Sequence, residues 1–173
     1  MRYELIRILL VDDNQYIRVM VREILRSVGV QKIYEACDGA EALQTMRDHE
    51  VDVVITDLSM QPLDGIDFVQ LLRNSPDSPN KMAPVIMITA HSTFQRVKEA
   101  RDAGISELLA KPITARAVIE RLHQAIENAR PFVRCDTYFG PDRRRRDDPA
   151  FKGPWRRYTD PPYLRNAAKP VEI

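Results

Sequence analysis

Five short apolar runs punctuate the first 129 residues, and between them apolar side chains recur at helical spacing. Residues 5–11, Leu-Ile-Arg-Ile-Leu-Leu-Val, stop at Asp12-Asp13-Asn14, as a buried strand does when it meets turn and cap residues. Ile17, Met20, Val21, Ile24, Leu25 and Val28 then follow at three- and four-residue intervals, which predicts a helix stopped by Gly29. A second strand is expected around Lys32–Glu35, and Asp38-Gly39 opens a helix carrying Ala42, Leu43 and Met46. Val51–Thr56 predicts a third strand ending at Asp57, after which Asp64-Gly65 opens a helix with Ile66, Phe68, Val69, Leu71 and Leu72. Beyond the loop at 75–81, Val85–Thr89 is the fourth strand, and a helix over roughly 93–103 ends at Gly104. A short strand at 107–110 meets Lys111-Pro112, and Thr114 caps a last helix carrying Val118, Leu122, Ala125, Ile126 and Ala129.

Strand and helix thus alternate five times, and the strands are too uniformly apolar for a sheet wetted on one face. This pattern predicts an α/β fold, a five-stranded parallel sheet covered by helices on both sides. Right-handed crossovers narrow it to the doubly wound open sheet, whose ligands sit beyond the carboxyl ends of the strands.

Four of the five strands end in residues with chemistry to offer: Asp12-Asp13, Asp57, Thr89 and Lys111. Taken singly, each has an ordinary structural use, the acidic pair and the threonine as caps and Lys-Pro as a loop pair. Taken together at one rim, three carboxylates would repel one another unless a cation neutralised them. Hard oxygen donors with room for water suit Mg²⁺. Lys111 adds a fixed positive charge and Thr89 a hydroxyl, a set fitted to stabilise a phosphoryl group on or near Asp57.

With these residues in view, residues 5–129 resemble the receiver domain of two-component response regulators, a flavodoxin-like fold. The resemblance rests on Asp12-Asp13, on Asp57 within Ile55-Thr56-Asp57-Leu58-Ser59-Met60, and on Asp64-Gly65, Thr89-Ala90 and Lys111-Pro112. It implies a phosphoprotein of a phosphorelay, with Asp57 taking a phosphoryl group from a histidine kinase or histidine phosphotransfer protein. Asp13 and Asp57 would bind Mg²⁺ directly, Asp12 through water, and the Ser59 carbonyl would add a ligand. Lys111 would pair with the phosphate, Thr89 would hydrogen-bond it, and the Lys111-Pro112 bond would be cis. Ser59 and His91 would influence the lifetime of the phosphorylated state. Such a domain is no enzyme beyond its own Mg²⁺-dependent phosphorylation and dephosphorylation. Its output partner would dock on the face of the fourth helix, fifth strand and fifth helix, or on the tail. Two departures stand out: Leu108 replaces the usual aromatic three residues before the lysine, and the proline of Met60-Gln61-Pro62-Leu63 comes one place late.

Charge and length change the picture only at the end of the chain. Nothing approaches a membrane-spanning apolar run, no signal peptide opens the sequence, and Cys37 and Cys135 are lone, so a reduced, cytoplasmic protein is expected. The net charge of +1 hides 15 Lys+Arg against 19 Asp+Glu in residues 1–129, and 11 against 6 in residues 130–173. Seven of the 12 prolines fall in that second segment, in which no helical or strand period is apparent. A basic Pro/Arg-rich tail, disordered or docking and largely irregular, is therefore expected at 130–173. Within it Phe139-Gly140-Pro141-Asp142-Arg143-Arg144 is echoed by Lys152-Gly153-Pro154-Trp155-Arg156-Arg157. Tyr138, Phe139, Phe151 and Trp155 are candidate anchors for an acidic partner or for this chain's own acidic domain. Arg143–Arg146 leave open a second class of function, a nucleic-acid-binding regulator with the tail as effector, although Asp142, Asp147 and Asp148 weaken it. A third class, a docking module that kept the fold and lost the chemistry, is opposed by the complete strand-end set.

Overall fold

The predicted alternation is present in full: β1 (Arg7–Val11), α1 (Gln15–Ser27), β2 (Lys32–Ala36), α2 (Gly39–Asp48), β3 (Val53–Asp57), α3 (Gly65–Asn74), β4 (Val85–Thr89), α4 (Phe94–Ala103), β5 (Glu107–Ala110) and α5 (Ala115–Glu127). The computed structural model describes residues 3–90, 93–135, 138–143 and 169–170. The five strands form one parallel sheet in the order β2-β1-β3-β4-β5. Among the described residues no helix is long and apolar enough to cross a membrane.

Both faces of the sheet are covered, which is why its three central strands, β1, β3 and β4, read as apolar runs while the edge strands β2 and β5 carry charged residues. Leu9, Val11, Val54, Val85 and Met87 pack with residues of α2, α3 and α4, among them Met46, Phe68, Leu72 and Ala100. Ile8, Leu10, Ile55, Ile86 and Ile88 point the other way, into Val21 and Leu25 of α1 and Val118 and Leu122 of α5. Met20 and Leu71, expected on buried faces, are instead exposed, because neighbouring helical positions already fill the contact with the sheet.

Polar residues in the strand-to-helix connections start the helices. Asn14 accepts from the Tyr16 amide, Asp38 from Ala40 and Glu41, Asp64 from Asp67, and Thr114 from Ala117, so each satisfies amides with no intrahelical partner. Gly104 ends α4 at φ +102°, a left-handed conformation that glycine adopts without penalty.

Beyond α5 the structure differs from the sequence-based expectation. Residues expected to lack strand period form β6 (Phe132–Cys135) and β7 (Tyr138–Pro141), an antiparallel pair, with β8 (Lys169–Pro170) on the other side of β6. Phe132, Val133, Tyr138 and Phe139 are buried, and β7 packs against α3 and α4. These strands contain adjacent rather than alternating buried residues, so no period of two was there to be read. They are held by contacts of a different kind. Arg73 lies over the Phe132 ring at 5.0 Å, Arg134 over Phe139 at 4.6 Å and Arg143 over Tyr138 at 4.0 Å. Arg130 donates to the carbonyls of Ser106 and Asp142. Phe151, Trp155 and Arg144–Arg146 lie outside the described residues.

Candidate functional site

Parallel pairing brings the strand ends to one rim. Asp57 is the last residue of β3, in register with Ile88, and one step further Thr89 pairs with Ala110. The Lys111 amide then donates to the Thr89 carbonyl at 2.8 Å, which carries the lysine to the same rim, and the Lys111-Pro112 bond is cis. Asp12 follows β1, whose Val11 pairs with Thr56, so it stands beside Asp57.

Two of these carboxylates are buried: Asp12 and Asp57 are each 5% exposed. Asp57 accepts from the Ser59 amide at 2.8 Å through Oδ2, and Lys111 Nζ lies 2.7 Å from its Oδ1. That second contact is close but off the hydrogen-bonding direction, an ion pair more than a directed bond. Asp12 accepts from the Asn14 amide through Oδ1, while its Oδ2 is buried with no hydrogen-bond partner. Burial pushes the Asp12 carboxyl above its ordinary range; the Asn14 amide opposes this, Asp57 adds to it, Lys111 opposes it and Asp13 adds to it.

Asp13 itself is exposed at the rim, as is Ser59, whereas Thr89 is buried. His91 lies outside the described residues. Leu108 is half-buried against the α2–α3–α4 side of the core, so no aromatic ring stands there. The Gln61-Pro62 bond of the loop after β3 is also cis.

Among the described residues, no three carboxylate, imidazole or thiolate side chains form a group arranged to hold a metal ion. The fit to a hard divalent cation rests instead on the buried, unpartnered Asp12 oxygen, which stands with a second carboxylate and with Asp13 near enough to act on it.

The sequence left two contributors unnoticed. Arg18 of α1 donates to the Asp12 backbone carbonyl at 2.6 Å and is held by Glu35 of β2 at 3.1 Å, so an ion pair braces the rim from behind. Arginine among the polar positions of an amphipathic helix carries no mark of that role. On the outer surface of the same helix, Tyr16 is 86% exposed and Val19 and Met20 lie beside it, an apolar stripe next to the acidic pair.

The model of the response regulator receiver domain matches residues 8–123. The chain belongs to this family. Chemotaxis protein CheY-3 of Vibrio cholerae is 36% identical over 121 residues, which cover 70% of this chain and 92% of that protein. Among solved structures, the chemotaxis response regulator CheY4 of Vibrio cholerae is similar at a TM-score of 0.64 and 30% identity, over 70% of this chain and 98% of that one. A chain of the CheX-CheY-BeF3-Mg²⁺ complex from Borrelia burgdorferi is similar at 0.62 and 28%, over 69% of this chain and 88% of that one. The receiver fold and a place in two-component signalling are thereby shown, and the rim just described lies within the matched residues.

Proposed function

We propose that this receiver acts as a cytoplasmic phospho-switch in which Asp57 accepts a phosphoryl group from a phosphohistidine. The observation that carries this reading is the buried Asp57 carboxylate, paired with Lys111 at 2.7 Å and set beside the unpartnered oxygen of Asp12. An oxygen of Asp57 attacks phosphorus and the imidazole nitrogen of the donor leaves. Lys111 is already within reach of the nucleophile, so its charge serves the phosphoryl oxygens as they gather density. The Ser59 amide holds the other Asp57 oxygen in place. The Thr89 hydroxyl supplies a donor to the product. Asp12, Asp13, Asp57 and the Ser59 carbonyl would hold Mg²⁺, which supplies charge neutralisation to the phosphoryl group when bound.

The exposed stripe of Tyr16, Val19 and Met20 supports docking of the phosphodonor on α1, beside the acidic pair. Output passes to a partner protein through α4, β5 and α5, through the tail, or through both. Thr89 would move towards the phosphoryl group as its hydroxyl donates to it, and with Leu108 in place of an aromatic that movement would be passed on by aliphatic packing alone.

Incubation with a small-molecule phosphodonor and Mg²⁺, followed by intact mass measurement, tests the assignment. One phosphoryl group should be added, and none in Asp57→Asn. Addition that persists in Asp57→Asn, or no addition to the parent protein, would sink it.

A further inference from the structure

Asp12 is held through its main chain as well as its side chain. Its amide donates to the Ala36 carbonyl at 3.2 Å, and its carbonyl accepts from Arg18 Nη1 at 2.6 Å. Arg18 Nε is turned the other way, to Glu35 Oε2 at 3.1 Å, and the arginine side chain is only 17% exposed. Both clamps on Asp12 therefore trace to the last two residues of β2, Ala36 directly and Glu35 through the arginine. The carbonyl that Arg18 holds belongs to the peptide joining Asp12 to Asp13, and a peptide unit turns as one plane. Fixing that plane fixes the directions in which both carboxylates leave the main chain. Asn14 closes the rest of the segment. Its amide donates to Asp12 Oδ1, and its own carbonyl accepts from the Arg18 amide at 3.2 Å. What this leaves unengaged is Asp12 Oδ2, buried and without a hydrogen-bond partner.

We infer that Arg18 is a positioning residue for the Mg²⁺ assigned above to Asp12, Asp13 and Asp57, acting through the Asp12–Asp13 peptide and touching neither the ion nor the phosphoryl group. The inference rests on that reading of the rim. A guanidinium suits the task because its donors form a rigid fork, one arm for the carboxylate and one for the carbonyl, where an ammonium is a single point of charge. The same helix supplies the contrast. Arg22 binds Glu35 as well, at 2.6 Å, but its other bond goes to Glu23 and not to Asp12. Two effects of Arg18 oppose each other. Its charge repels a cation, so electrostatics alone predict tighter Mg²⁺ when it is removed. Loss of orientation predicts weaker Mg²⁺, since groups that orient a metal ligand are worth about 10–100-fold in affinity. The sign of the change separates the two.

Titration of the full chain with MgCl₂, without any phosphodonor, reads this from the NMR shifts of the Asp12, Asp13, Asp57 and Ser59 amides. Arg18→Met, which keeps an apolar stem, should weaken Mg²⁺ by about tenfold or more. Arg18→Lys, which keeps the charge, should fall between that variant and the parent. Arg22→Met should stay near the parent value although it gives up a pair with the same Glu35. Dispersed spectra before metal is added would establish that each variant is folded. Unchanged or tighter binding in both Arg18 variants would overturn the proposal, and so would an equal loss in Arg22→Met. A parent protein with no saturable shift would overturn the metal reading of the rim itself, and this inference with it.

Discussion

At the scale of single residues, the rim is built as much by what is missing as by the charged groups. Gly65 opens α3, and a Cβ placed on it would lie 2.2 Å from the Asp57 carbonyl oxygen and 3.1 Å from the Leu58 Cα. Both are backbone atoms of the turn that presents the nucleophile, so neither can rotate aside. The Gly65 amide also donates to the Leu58 carbonyl at 3.0 Å, and this close approach draws α3 against the end of β3. Its backbone φ is not positive, so the demand is for space and not for a left-handed conformation. Gly65→Ala should therefore push α3 off the strand end, at a cost of about 1–3 kcal/mol typical of overpacking. Urea unfolding would register that cost, and phosphoryl incorporation should fall with it although no charged group has changed. Full incorporation in a destabilised variant would show that the turn positions nothing at the site.

At the scale of elements, α1 and β2 are joined by Glu35, which binds Arg22 at 2.6 Å and Arg18 at 3.1 Å. Burial alone would raise its carboxyl; the two guanidinium groups outweigh that and hold it below the usual range. A carboxyl depressed in the folded state stabilises the protein above the unfolded-state pKa, and the benefit is lost as pH falls through the folded value. Glu35→Gln should thus cost about 1 kcal/mol at pH 7. Parent and variant should converge in denaturation midpoint once the pH drops below the ordinary glutamate range. A difference independent of pH would assign the loss to packing. The strands and caps that set up this arrangement were legible, because buried parallel strands must be apolar and polar residues in the connections must satisfy helix amides. Arg18 and Glu35 were not, since an ion pair between elements leaves no period in either. Met20 was misplaced for a related reason: spacing marks a helical face but not how wide a strip of it the sheet covers. The acid pair, Asp57, Thr89 and Lys111 were legible as a set only because the topology brings strand ends together. Which of the three carboxylates are buried was not.

At the scale of the whole molecule, the β6–β7 hairpin makes the C-terminal segment part of the receiver's packing, at the end of α3 and α4 opposite the phosphoacceptor rim. Its keystone is Arg73, 1% exposed, which donates to the carbonyls of Gly104 at 3.1 Å, Lys81 at 2.6 Å and Ala83 at 2.8 Å. None of these partners is a carboxylate, and burial draws the guanidinium pKa down to about 10, which leaves it charged at neutral pH. The face of the Phe132 ring at 5.0 Å completes its surroundings, so the hairpin shields a buried cation while the cation anchors the hairpin. Behind it Gly104 and Gly140 meet so closely that a Cβ on Gly140 would lie 3.0 Å from the Gly104 Cα, which fixes how far β7 sits from α4. Arg73→Met should leave three carbonyls unbonded and cost about 3 kcal/mol or more, and Phe132→Ala should cost roughly 3 kcal/mol as a buried aromatic lost. Because each change removes what the other residue touches, the double variant should lose less than the sum, by about 0.5–1 kcal/mol. The cycle is read from urea unfolding followed by far-ultraviolet circular dichroism, with amide exchange in α3 and β7 recorded in parallel. Coupled losses with faster exchange in both elements would make hairpin and receiver one cooperative unit. Additive costs, or a Phe132→Ala variant as stable as the parent, would instead make the hairpin a passenger on a domain that ends with α5.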